Sequence, residues 1–152
     1  MSEQPIDEHF HRACVGPQNE YDVGAAHQFN LLTLLLGLRE YHHLLELGCG
    51  SLRAGRLFIP YLLPDHYCGL EPNRWLVEAG LDRETGRDLA RLRNPEFRFN
   101  DDFDLRSFGR SFDFIVAQSI FSHASQRQME KCLSEVKAAV SYTHLRAHET
   151  KA

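Results

Sequence analysis

Glu46, Gly48, Gly50 and Glu71 are the residues whose types and spacing point to a chemistry. Glycine reaches a positive φ and has no side chain to keep a ligand off the backbone, so Gly48 and Gly50 mark a turn that a ligand can lie against. Glu71 follows about twenty residues on, at the end of the next apolar run, where a carboxylate can accept both hydroxyl protons of a ribose. The same carboxylate opposes a phosphate, so a plain nucleoside fits better than a phosphorylated one. His123, in the loop after a later apolar run, suits a general base or a substrate contact, although a lone histidine in such a loop is more often structural.

Positioning these residues takes strands that end at them. The apolar run of residues 44–47 stops at Gly48, and helical spacing resumes at Leu52, Phe58 and Leu62, with Ser51 as the predicted N-cap. Strand, glycine turn and helix form the ligand corner of an open α/β sheet. The turn is no P-loop, because no Lys-Ser or Lys-Thr pair follows a second glycine. It also fails as a dinucleotide fingerprint: counted from Gly48, the third glycine falls on Arg53. A second strand is predicted at Tyr67, Cys68 and Leu70, a third around the alternating Phe97 and Phe99, and a fourth over residues 112–119. Helices are predicted over residues 25–38, 73–86 and 126–138. The first should bury Ala25, Phe29, Leu32, Leu35 and Leu36 across the sheet edge, or else lid the ligand corner with Tyr21, Gly24 and Gln28 after a turn at residues 21–24. The second, capped by Asn73, should bury Trp75, Leu76, Ala79 and Leu81. The third, capped by Ser125, should bury Met129, Cys132, Leu133 and Val136. Residues 87–94 read as a helical turn or loop. Residues 1–20 read as a loosely held segment whose His9 and His11 are solvated and bind no metal.

At 152 residues the chain is long enough for one domain with a core. Its net charge of −4 argues against a generally basic nucleic-acid binder. Four cysteines without a C-x-x-C pair read as reduced thiols and a cytoplasmic setting. The greasiest stretch, residues 31–38, is too short to span a membrane.

Glu46-Leu47-Gly48-Cys49-Gly50 resembles motif I, (D/E)-x-G-x-G, of the class I S-adenosylmethionine-dependent methyltransferases. Phe112-Asp113 before an apolar run resembles the opening of that family's motif IV, and acidic residues end the second and third strands in the family's order. The resemblance covers residues 21–138, and through Leu-Gly-Cys-Gly-Ser-Leu-Arg-Ala-Gly and Ala-Gln-Ser-Ile-Phe-Ser-His it extends to small bacterial methyltransferases of undefined substrate. It implies a Rossmann-like, doubly wound parallel sheet in the order 3-2-1-4, lacking the last three strands of the methyltransferase core. It implies S-adenosylmethionine as methyl donor, with no metal required. Cofactor contacts would come from Glu46, Gly48, Cys49, Gly50, Glu71, Pro72 and Asn73, from Asp101, Asp102 and Phe103 around the adenine, and from Gln118 beside the methionine half. The absence of an Asn-Pro-Pro-Tyr motif after the fourth strand points away from nucleic acid and toward a small-molecule acceptor. Two other classes stay open: a cofactor-binding module without catalysis, and a fragment of a nicotinamide-dependent oxidoreductase.

Residues 139–152 lack the turn glycine and strand pattern that the family would place next. The run from Ser141 to Thr150 resembles one reading frame of a transposon-end sequencing adapter. The expectation is therefore a partial methyltransferase domain over residues 21–138, followed by a non-native tail.

Overall fold

Leu44–Leu47 (β1) and Tyr67–Leu70 (β2) are buried at every position, as near-continuous apolar strands of a parallel sheet covered on both faces should be. They pair in parallel with Leu44 beside Tyr67 and Leu47 beside Leu70. Glu96–Arg98 (β3) adds to β2, and Phe114–Ala117 (β4) adds to the other side of β1. The order is β3-β2-β1-β4, all parallel, as the resemblance implied. This computed structural model describes residues 9–118, 120 and 124–140. His123 and residues 141–152 lie outside the described residues.

Side chains of a strand alternate between faces. On one face Leu45, Leu47, Cys68 and Leu70 pack with Leu105, Phe108, Phe112 and Cys132, the last carried by the helix Gln126–Ala139. On the other, Leu44 and Tyr67 pack with Phe58, Ile59, Leu62, Val77 and Leu81. These come from the helices and turns that follow β1 and β2. In chain order the helices are Phe10–Ala13 (α1), Tyr21–Asn30 (α2), Gly55–Tyr61 (α3), Arg74–Gly80 (α4), Arg87–Arg93 (α5) and Gln126–Ala139 (α6). Ser125 caps α6 with a reciprocal capping box through Gln128, as predicted. Val140, the residue after α6, forms a parallel bridge with Phe112 just ahead of β4.

Several local expectations are corrected. The predicted turn at residues 21–24 is helical, because Tyr21 is buried and donates its hydroxyl proton to the Ser51 carbonyl. Ser51 is no N-cap: it is buried in the turn, its hydroxyl lies 3.3 Å from that of Tyr21, and α3 begins only at Gly55. Asn73 does stand at the N-cap of α4, but its amide is spent on Glu71 rather than on the helix. Residues 31–35 form a π-helical turn, which slips the phase of the apolar stripe. Leu32 and Leu38 are buried, while Leu35, expected inside, is 77% exposed. Trp75 and Leu133 are exposed as well, since each precedes or follows a buried residue and neighbours in a helix point about 100° apart. Trp75 instead stacks on Phe10 of α1, ring centroids 6.0 Å apart. His11 is not solvated. It is 3% exposed and hydrogen-bonds Glu84 at 2.6 Å, while Arg12 grips the same carboxylate through two nitrogens, so the segment around α1 is pinned to the turn after α4.

α4 crosses the glycine turn at Gly80, where an added Cβ would lie 2.7 Å from the Ser51 carbonyl carbon. In an exposed helix Gly→Ala is stabilising. Here the backbone of the turn would have to move, and Gly80→Ala is expected to cost about 1–3 kcal/mol. A fall in the urea midpoint at unchanged slope checks it.

Candidate functional site

The carboxyl ends of the strands lie side by side in sheet order, so Asp101 and Asp102, Glu71, the glycine turn and Gln118 follow one another across one rim. The turn itself is fixed by backbone bonds: the amides of Gly48 and Cys49 donate to the Leu70 carbonyl at 2.8 and 3.2 Å. Folding over the tip of β2 in this way takes Gly48 to φ +68° and Gly50 to φ +51°, the left-handed region open to glycine.

Glu71 does not point away into solvent. It is buried, and its Oε2 accepts the Gly50 amide proton at 3.0 Å. Its Oε1 accepts from the Asn73 amide and side chain, both at 3.0 Å. The glycine turn, Glu71 and Asn73 are thus one hydrogen-bonded unit, whereas Pro72 and Asn73 themselves are exposed on its outer side.

Glu46 is buried beneath the turn and accepts the Tyr67 hydroxyl proton at 2.7 Å. Burial pushes its carboxyl up to about 7, against the opposing effects of that hydrogen bond and of the Arg53 charge. Cys49 is buried between the two carboxylates; burial first, then the charges of Glu46 and Glu71, hold its thiol well above the ordinary range. A thiol so held is inert as a nucleophile and serves as packing.

The other predicted residues are not bonded into this unit. Asp101 and Asp102 are exposed; Asp102 faces Lys131 at 3.4 Å and accepts the Asp104 amide proton. Phe103, at φ +56°, packs partly on the α6-side core. Gln118 is exposed directly after β4. Among the described residues, no three His, Cys, Asp or Glu side chains converge as metal ligands.

Sequence reasoning missed the two apolar side chains that bracket the turn. An added Cβ on Gly48 would lie 3.3 Å from Ile120 Cγ1, and one on Gly50 would lie 2.6 Å from Val15 Cγ1. Val15 reaches this place because His11 and Arg12 moor its segment on Glu84 and because Arg53 donates to its carbonyl. No local pattern signals contacts across 38 to 73 residues. Arg74, which stands over the Phe99 ring at 3.9 Å, was missed for the same reason.

No helix among the described residues is long and apolar enough to cross a membrane. No curated protein matches the chain. Solved structures do. PKMT2 from Rickettsia typhi in complex with AdoHcy superposes with a TM-score of 0.56 at 25% identity, over 68% of this chain and 20% of that one. Magnesium protoporphyrin IX methyltransferase (ChlM) from Synechocystis PCC 6803 with bound SAH superposes at 0.64 and 16% identity, over 89% and 66%. The N-methyltransferase NodS from Bradyrhizobium japonicum WM9 in complex with SAH superposes at 0.61 and 16%, over 80% and 57%. The chain therefore spans between one fifth and two thirds of the length of these structures. The family model described as a methyltransferase domain matches residues 45–142, more than half of the chain, and takes in all four strands except Leu44. With that match over the same glycine turn and strand tips, the chain belongs to the methyltransferase-domain family.

Proposed function

We propose that the chain binds S-adenosylmethionine at the glycine turn and is the cofactor-binding part of a methyltransferase for a small-molecule acceptor. The bond from the Gly50 amide to Glu71 carries this reading. In a phosphate cradle, backbone amides at such a turn stay free for an anion. Here the amide is committed to a carboxylate, so the rim repels phosphate and suits the uncharged ribose of a nucleoside. Gly48 and Gly50 carry no side chain of their own to hold such a ligand off the turn, and the Glu71 carboxylate bonded to the Gly50 amide can accept hydroxyl protons, so the residues present fit the group.

In this reading Glu71 takes the ribose hydroxyls, Asp101 or Asp102 with Phe103 flanks the adenine, and Gln118 lies beside the methionine half. The bound cofactor supplies an activated methyl group. The chain's contribution is to hold that group in line with an acceptor nucleophile, which needs orientation more than acid–base chemistry. A magnesium protoporphyrin IX methyltransferase among the similar folds supports a small-molecule acceptor, and free cysteines support a cytoplasmic setting.

Calorimetric titration tests the reading. S-adenosylhomocysteine should bind saturably and NADH should not; NADH binding without S-adenosylhomocysteine binding overturns it. A methyl-transfer assay over a metabolite pool then separates a transferase from a module that only binds.

A further inference from the structure

We propose that His43 and His66 form an acid-sensitive latch across the amino ends of β1 and β2, stacked while neutral and forced apart when each carries a proton. The latch lies at the edge of the sheet opposite the glycine turn, so it stands independently of any ligand there.

His43 directly precedes β1, His66 directly precedes β2 and Asp113 directly precedes β4, so the parallel register gathers all three at the amino ends of adjacent strands. The Leu44 amide donates to the His66 carbonyl at 2.9 Å, which fixes the two histidines side by side. Their rings stack with centroids 4.0 Å apart and planes 16° from parallel. His66 Nδ1 lies 3.3 Å from the His42 carbonyl. A carbonyl only accepts, so this bond keeps a proton on Nδ1 and leaves Nε2 as the atom that gains one in acid. The His43 side chain is 38% exposed, so protons reach the pair without unfolding.

Neutral imidazoles gain from such a stack. Two imidazolium rings in the same place set like charges directly opposite each other on adjacent strands, which opposes the pairing. The surroundings compensate little. Asp113 faces His43, but its Oδ2 is 3.8 Å from the ring Nδ1, beyond hydrogen-bond length, because it accepts the His43 amide proton at 2.8 Å. Arg110, which donates to the Asp65 carbonyl at 2.7 Å and pairs with Glu96 at 3.3 Å, adds a positive charge. His42 is a third imidazole nearby, its Nδ1 taken by the Arg39 amide at 2.9 Å. The Asp65 carboxylate, next to His66 in the chain, accepts from Asn94. Burial first, then the His66 charge, hold the His43 imidazole below its ordinary range; Asp113 pulls the other way, and Arg110 and His42 act with His66. The folded chain therefore binds fewer protons here than the unfolded one. Stability falls as the pH drops from the ordinary imidazole value, about 6.5, to the lower value of the folded chain.

The test is a set of urea titrations on the full 152-residue chain between about pH 7.5 and about pH 5.5. Glu46, whose carboxyl burial pushes up to about 7, contributes the opposite slope, since its folded form gains a proton as the pH falls. That slope is common to every variant, so the variants are compared with one another. His66→Phe keeps a flat ring in the stack and removes its charge. Over this range the parent's folding constant should fall roughly three- to tenfold further than that of His66→Phe, whatever the variant loses at every pH from its missing bond to His42. Asp113→Asn keeps an acceptor for the His43 amide and removes the negative charge, so its loss in acid should be steeper than the parent's. Proton NMR of the His43 ring adds a readout that a merely structural role would not move. Its titration should shift to higher pH in His66→Phe and to lower pH in Asp113→Asn. Equal pH slopes in the parent and His66→Phe overturn the latch. A His43 ring that titrates at or above about 6.5 in the parent overturns it too, a result that needs no variant to fold.

Discussion

Gly48→Val should abolish S-adenosylhomocysteine binding, weakening it by roughly a hundredfold or more, while the chain stays folded. Two effects combine. A β-branched residue at φ +68° is a steric outlier, costing about 1–2 kcal/mol where glycine costs nothing. Its Cβ would also press on Ile120 Cγ1 at 3.3 Å, and its methyl groups would stand where a ligand has to approach the backbone. Strain alone does not block a ligand, so the matched control is Gly37→Val. Gly37 has φ +79°, and an added Cβ there meets nothing within 4 Å. The control should lose comparable stability in urea and keep its affinity. Calorimetry on both variants, with circular dichroism to confirm the fold, decides the matter. Equal affinity in Gly48→Val and the parent places the ligand elsewhere.

Glu71→Ala has the second largest expected effect, and it should show in both binding and stability. The lost ribose bonds correspond to roughly a ten- to hundredfold rise in the dissociation constant of S-adenosylhomocysteine. The variant also strands the buried Gly50 amide, which now has Glu71 as its acceptor. An orphaned buried donor costs about 1–3 kcal/mol, so the urea midpoint should fall as well. A folded Glu71→Ala chain with an unchanged dissociation constant removes Glu71 from the site.

Membership in the methyltransferase-domain family agrees with what the short motifs implied. The reason is that those motifs are local. Residues 44–50 must leave a buried strand through a glycine turn whatever the rest of the chain does, and Glu71-Pro72 must end the next strand. The parallel order 3-2-1-4 followed from the family resemblance and is present in the structure. Helix positions were legible for a related reason: Ser125 and Asn73 each stand next to the apolar spacing they introduce.

The sequence by itself therefore determined the strands, the glycine turn between them and the carboxylate at the tip of β2, because each depends on residues within a few positions of one another. Tertiary structure decided what surrounds them. The burial of His11 on Glu84, the seat of Val15 against Gly50 and the stacking of His43 on His66 all join parts of the chain that no repeat or spacing relates. The π-helical turns at residues 31–35 and 81–85 widen that gap. Each inserts an extra residue into a helical stripe, so the apolar pattern read from the sequence stays correct in content and turns out of phase in space. Leu35 faces solvent for that reason, and the phase of the packed helix, rather than its composition, sets which side chains reach the rim.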